Sequence, residues 1–344
     1  MVTAAQPRRH EPTMRDVAAL ARVSVKTVSR VINGEPGAGP VVAERVRVAA
    51  RTLGYRPNLS ASSLRRSDRR SATIGVLLED LSNPYDSALL RAVEDRARER
   101  GVLVLAGSDD DDPAQQAELL DALAVRRIDG LVTMPAGGHQ DRLQAERQRG
   151  LPMVLVDRPP TFSDTDSVTT DNRECTAAAV RRLVALGHRR IGYLGDRTAL
   201  WTTSERRAGY VEGLASEGVA FDPALVRIGL RGSEMAQAAA AELLDLPDPP
   251  TAFFAAQNLI TVGVVRTLRQ RDLHYRVAVI GFDDFPLADL LDPGVSVVRQ
   301  DLPAIGRAAA DRIFARIDGD ATPARRVVVP AAYLMRGSGE IAPR

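Results

Sequence analysis

Apolar residues recur along this chain in two rhythms, and the change between them falls near residue 72. Before it the spacing is helical. Thr13 followed three residues later by Asp16 has the form of a capping box, with Asp where Glu or Gln is commoner, and Val17, Ala18, Leu20 and Ala21 make the short apolar face of a helix that starts there. Arg22 and Val23 break it, and Ser24 can cap a second helix that places Val28, Val31 and Ile32 on one side and Lys26, Ser29 and Arg30 on another. Asn33-Gly34 ends that helix. Gly39-Pro40 supplies a weak cap with proline at the first helical position, and Val42, Val46, Ala49, Ala50 and Leu53 form the stripe of a third helix packed behind the other two. Two short helices joined by a tight turn, the second with basic residues off its buried face, predict a helix-turn-helix.

After residue 72 short apolar runs alternate with amphipathic stretches. Residues 74–78 precede a helical 88–100, residues 103–106 precede 114–125, and apolar runs at 129–132 and 153–156 continue the series. Such βαβ repetition predicts a parallel sheet. The order restarts at 190–195, echoing 74–78, and runs through helix 205–217, strand 252–254, helix 259–270 and strand 277–280. The expectation is a small all-α headpiece followed by two similar α/β lobes, each a doubly wound parallel sheet. Open α/β sheets bind ligands at the carboxyl ends of their strands, and between two lobes those ends face a common cleft.

A length of 344 residues supports two or three domains, and 44% hydrophobic with 26% charged residues is a globular composition. No apolar run approaches the roughly 18 residues that a membrane span needs, and the opening MVTAAQPRRHEP has no apolar h-region, so a cytoplasmic location without membrane contact is expected. Cys175 is the only cysteine, and the four histidines have no paired ligand spacing, so neither a disulfide scaffold nor a structural zinc is expected. The net charge of +2 conceals an asymmetry. Residues 1–70 hold fourteen basic side chains against five acidic ones, a balance of +9, which leaves 32 basic and 39 acidic residues, or −7, for the rest. A folded basic head on an acidic body points to a polyanion partner. A catalytic reading finds little. There is no GK dipeptide, no G-x-S-x-G and no H-E-x-x-H, and the Gly337-x-Gly339-x-x-Ala342 pattern has no helix after it, so neither an enzyme nor a cofactor is expected.

The run VSVKTVSRVIN at 23–33 and LGYRPN at 53–58 resemble the headpiece of the lactose-repressor (LacI/GalR) family of bacterial transcription regulators. The likeness continues through Asp80 with Asn83-Pro84-Tyr85, VDR at 156–158, DN at 171–172, GHRRIGYL at 187–194, RRAGY at 206–210 and GFDD at 281–284, and so spans residues 13 to about 336. It implies a flexible tail at 1–12, a DNA-binding headpiece at 13–57, a hinge at 58–70 and an effector-binding and dimerisation domain at 71–344. Within that domain one lobe would take about 71–170 and 300–329, the other about 171–299 and 330–344. The resemblance places Val25 and Lys26 at bases, Ser24 and Thr27 at phosphates, Arg30 at a base or a phosphate, and Asn33 and Tyr55 also at DNA. In the hinge, NLSASSLRRS at 58–67, it places Asn58 and Ala61 in the minor groove and Leu64 as a wedge between base pairs. A lysine early in a recognition helix can donate to guanine, and a valine beside it can touch a thymine methyl. Lys26 is the only lysine of the chain; its plainer reading is a solvated charge. For Leu64 the plainer reading is a linker leucine buried against the body.

For the cleft the resemblance implies effector contacts at Asp157, Arg206, Gln257 and Asp283, a set of carboxylates and a guanidinium that suits a polyhydroxylated ligand such as a sugar. The alternative for Asp157 and Asp283 is to cap turns or pair with Arg206. The family commonly has Asn-Asp where this chain has Gln257-Asn258, a departure that lengthens one contact and removes one charge. Trp201, the only tryptophan, could stack on a sugar face or serve in packing. Asp109 to Asp112 before Pro113 read as a helix-start cluster rather than a metal site. A homodimer on a pseudo-palindromic double-stranded operator, released by a small-molecule effector, is what the resemblance implies; members whose ligand strengthens DNA binding keep the opposite sign open.

Overall fold

A computed structural model describes residues 12–32, 35–55 and 70–343. The chain divides into two compact units, Met1–Ser71 and Ala72–Arg344. The described residues of the first unit form three helices, α1 (Met14–Ala21), α2 (Val25–Ile32) and α3 (Pro40–Leu53). The capping box is present: the Thr13 N–H donates to the Asp16 carboxylate at 2.7 Å, and the Asp16 N–H donates to the Thr13 hydroxyl. Arg22 turns left-handed at φ 53° and ends α1. Ser24 accepts the Thr27 N–H at 3.1 Å and so starts α2. Val17, Ala18 and Ala21 of α1, Val28 of α2, and Val46, Ala49 and Ala50 of α3 make the core, with Tyr55 packed at its edge.

The second unit holds two six-stranded sheets among the described residues. The first contains β1 (Thr73–Leu78), β2 (Leu103–Ser108), β3 (Gly130–Thr133), β4 (Met153–Val156), β5 (Asp166–Thr170) and β11 (Arg326–Val329), in the order β11-β5-β4-β3-β1-β2, with every pairing parallel. Its helices are α4 (Pro84–Glu99), α5 (Pro113–Val125), α6 (Asp141–Gln148) and α11 (Leu302–Ile317). The second contains β6 (Ile191–Leu194), β7 (Val226–Arg227), β8 (Ala252–Ala255), β9 (Ala278–Phe282), β10 (Ser296–Arg299) and β12 (Ala332–Leu334), in the order β12-β10-β9-β8-β6-β7, with only β12 antiparallel. Its helices are α7 (Asn172–Ala185), α8 (Trp201–Ser216), α9 (Gly232–Leu244) and α10 (Asn258–Gln270). Central strands are buried on both faces, as helix-covered parallel strands must be, and this is why they read as unbroken apolar runs.

The chain crosses back after β10. Ile305, Ala309, Ile313 and Phe314 of α11 enter the core of the first lobe beside Val76, Leu89 and Val93. A Cβ on Gly306 would stand 2.4 Å from that of Ala92, so only glycine lets α11 lie this close to α4. Asp166 fastens the return: it is 1% exposed and accepts hydrogen bonds from Arg312 at 3.0 Å, Arg316 at 2.7 Å and the Arg325 N–H at 3.0 Å. Among the described residues no helix is long and apolar enough to cross a membrane.

Candidate functional site

Two places gather the residues singled out from the sequence. On the headpiece, Ser24, Val25 and Lys26 are exposed at the start of α2, while Thr27 and Arg30 are half-buried beside them. The hydroxyls of Ser24 and Thr27 lie 2.9 Å apart. Val25 keeps 43% of its surface in water even though Val28, one turn on, is fully buried, so α2 turns an apolar face inward and an apolar-basic face outward. Tyr55 is set differently, half-buried against the headpiece core. Asn33 and the hinge positions Asn58, Ala61 and Leu64 lie outside the described residues.

In the second unit the carboxyl ends of both sheets meet across a cleft lined by Asp157, Arg206, Gln257 and Asp283 together. The lobes reach it by the same device. Asp157 follows β4 at φ 65° and donates its N–H to Val168 of β5; Asp283 follows β9 at φ 66° and donates its N–H to Val298 of β10. Aspartate tolerates this left-handed turn better than most side chains, and the turn aims its carboxylate past the strand end. Both are buried. Asp157 accepts from the Tyr85 hydroxyl at 3.2 Å, and Asp283 accepts from the Gln300 amide at 2.8 Å with the Arg206 guanidinium 3.7 Å away. Burial pushes the Asp283 carboxyl up to about 6 against the pull of Arg206.

Arg206 is 5% exposed and fixed on three sides: it donates to Asn172 Oδ1 at 2.7 Å and to the Ala256 carbonyl at 2.8 Å, and its plane lies 3.6 Å from the centre of the Phe282 ring. Gln257 caps α10, its Oε1 accepting the Leu259 and Ile260 N–H groups, so it offers a ligand only its amide N–H donors. Next to it the buried Asn258 donates to Asn83 Oδ1 at 2.7 Å and ties the two lobes together. Trp201 is not among the residues that line the cleft; the Arg326 guanidinium of β11 covers one face of its ring at 4.7 Å, the packing use of the two that the sequence left open.

Several cleft residues were not singled out from the sequence. Glu79 follows β1, and Asp196 and Arg197 follow β6. Arg197 reaches across the lobes to Glu79 at 2.6 Å and Asp111 at 2.7 Å. Arg158 is buried between the same two carboxylates, 2.8 Å from Glu79 and bonded to Asp111. Burial works against its charge, yet Asp111, Asp157 and Glu79 outweigh that and hold the guanidinium above its ordinary value. The run from Asp109 to Asp112 therefore divides: Asp112 caps α5 as expected, whereas Asp111 is the acceptor of an interlobe ion pair. Tyr85, Asp86, Thr202 and Thr203 also line the cleft, from the first turns of α4 and α8. Their positions behind strand ends were the available signal. Among the described residues no group of His, Cys, Asp and Glu could hold a metal ion.

Residues 13–58 match the family described as bacterial regulatory proteins, lacI family, and residues 180–339 match the periplasmic binding protein-like domain. The transcriptional regulator PtxS of Pseudomonas plecoglossicida is 34% identical over 343 residues, covering 97% of both chains. The transcriptional repressor CytR of Escherichia coli (strain K12) is 30% identical over 334 residues, covering 96% of this chain and 97% of its own. Among solved structures, the complex of the transcriptional regulator CelR with cellobiose is 31% identical, with a TM-score of 0.72 over 95% of this chain and all of that one. The lac repressor dimer bound to operator and anti-inducer shares the fold at 24% identity, with a TM-score of 0.84 over 96% of this chain and 99% of that one.

Proposed function

Since this chain belongs to the LacI family of bacterial regulatory proteins and is a DNA-binding transcription regulator rather than an enzyme, we propose that it is a repressor whose operator affinity a small hydroxylated effector lowers from the cleft. The observation that carries this reading is the convergence of Asp157, Asp283 and Arg206 from two lobes on one cleft. Each carboxylate accepts from hydroxyls and the guanidinium donates, so a polyol meets complementary partners on both walls and favours one lobe arrangement over another. The cellobiose held by a relative of similar sequence supports a sugar as the ligand class.

At the headpiece Lys26 and Val25 read bases, Ser24, Thr27 and Arg30 hold the duplex, and Tyr55 contributes its hydroxyl from the edge of the core. Two copies related by a two-fold axis would place two such α2 helices on the half-sites of a pseudo-palindrome, which makes a homodimer the working assembly.

The coupling must be reciprocal: an effector that weakens operator binding is itself bound more weakly by the operator complex. A thermal-shift screen of mono- and disaccharides identifies a binding sugar, and titration of that sugar with and without operator DNA tests the coupling. Weaker sugar binding in the presence of operator is expected. Equal affinity in both titrations overturns the proposal.

A further inference from the structure

Among the described residues five carboxyl groups line the cleft, Glu79, Asp86, Asp157, Asp196 and Asp283, against two guanidiniums, Arg158 and Arg206. Four of the five have side-chain partners. Arg158 and Arg197 hold Glu79, Tyr85 holds Asp157, Arg197 reaches Asp196, and Gln300 with Arg206 serves Asp283. Asp86 is different. It is 2% exposed, its Oδ2 accepts the Asp80 N–H at 2.8 Å, and its Oδ1 is fully buried with no hydrogen-bond partner.

A buried carboxylate oxygen without a donor is costly, and no guanidinium bonds to Asp86 to offset its charge. The charged groups that face it are Glu79, Asp157 and, more weakly, Arg158, so its surroundings are negative on balance. Burial pushes its carboxyl up to about 8, so an ammonium seated beside it pairs with the carboxylate and releases the proton that burial favours. A ligand hydroxyl would supply the missing donor but not the missing charge. An ammonium group supplies both, and an anionic ligand would add to the imbalance.

We propose that Asp86 contacts the ligand directly and holds an ammonium group through Oδ1, so that the effector is a hydroxylated amine of the amino-sugar kind rather than a sugar acid or sugar phosphate. This rests on the reading of the cleft as the effector site. Asp157, Asp283 and Arg206 then take the hydroxyls, and Asp86 selects the amine from the first turn of α4.

The test is calorimetric titration of the full chain with glucosamine, galactosamine and mannosamine, each beside its parent sugar, and with gluconate and glucose 6-phosphate. Asp86→Asn is titrated in parallel. One amine is expected to bind more tightly than its parent sugar and to lose about ten- to a hundredfold in affinity in Asp86→Asn, the loss expected when a charged hydrogen bond is removed. The parent sugar should be nearly indifferent to that change. Tighter binding of a neutral or anionic probe, an amine whose affinity survives Asp86→Asn, or no binding by any of the three amines overturns the assignment. Operator titrations separate this from the effector reading. An amine that binds through Asp86 but leaves operator affinity unaltered counts against the effector reading alone; a neutral sugar that releases operator and ignores Asp86→Asn overturns the Asp86 proposal alone.

Discussion

Asp86 and Asp166 lie in the same lobe, are buried to almost the same degree, and behave in opposite ways. Burial raises both carboxyls. At Asp166 the hydrogen bonds of Arg316, Arg325 and Arg312 more than cancel that and hold it below the usual carboxylate range. At Asp86 the opposition is one backbone N–H, from Asp80, and the weaker pull of Arg158, and the carboxyl rises to about 8. Both charges are taken out of contact with water, and the neighbours decide the direction in which each carboxyl moves. A buried charge whose donors all come from the fold holds the fold together; one that is left short of donors is available to something that binds.

Breaking the satisfied member should have the largest effect. Asp166→Asn leaves Arg312 and Arg316 facing an uncharged group between β5 and α11, and a loss of about 3–5 kcal/mol is expected, measured by urea unfolding at neutral pH. A loss below 1 kcal/mol would mean that Asp320, which also pairs with Arg312, carries the junction.

Asp111 lies between the two extremes, because its donors come from both lobes. Arg197→Ala removes the donor that crosses the cleft and leaves Glu79 and Asp111 to Arg158. A destabilisation of about 1.5–3 kcal/mol is expected, in the range of hydrogen bonds to charged groups. Trp201, stacked under Arg326 of the other lobe, reports the loosening directly. Its fluorescence should become more accessible to acrylamide in the variant, and unchanged quenching would show that Arg197 does not hold the lobes.

The unsatisfied member should give a gain, and only above a certain pH. A carboxyl whose value rises from 3.8 in the unfolded chain to about 8 in the fold keeps its proton after the unfolded chain has lost it. Its contribution to stability therefore falls as pH rises through that window, opposite in sign to Asp166, whose contribution is lost as pH falls into the acid range. Asp86→Asn should raise stability by about 1–3 kcal/mol near pH 8.5 and change little near pH 3.5, below the unfolded value, read from thermal midpoints at both values. Equal midpoints for variant and wild type at pH 8.5 would show that Oδ1 finds a donor in solution.

This contrast was only partly legible in the sequence. Parallel strands buried on both faces announce themselves as apolar runs, so both sheets and the repeated half could be read, whereas Asp157 and Asp283 came from the family likeness. The starts of α4 and α8 could not. Both begin four residues before the apolar period does, at Pro84 and Trp201, because their first turns carry polar residues that face the cleft. Asp86, Thr202 and Thr203 sit in those turns. The ion pairs of Arg197 join residues far apart along the chain, from loops whose spacing has no period to reveal them. Trp201 was open to either of two uses, and the position of Arg326, far along the chain, could not be read beforehand.

Lys26 sets the zero of the stability scale. It is exposed on α2 and has no ion-pair partner among the described residues. Lys26→Ala should shift folding stability by no more than about 0.5 kcal/mol, as surface changes away from special features do. On DNA the same change should be large where Lys26 meets a guanine. A loss of about 1–3 kcal/mol on cognate operator is expected, with discrimination at one base pair relaxed and binding to random duplex nearly intact. Fluorescence anisotropy at two salt concentrations separates the outcomes: equal losses on cognate and random DNA, with a flatter salt dependence, would make Lys26 a phosphate contact and move base reading to Val25 and Arg30.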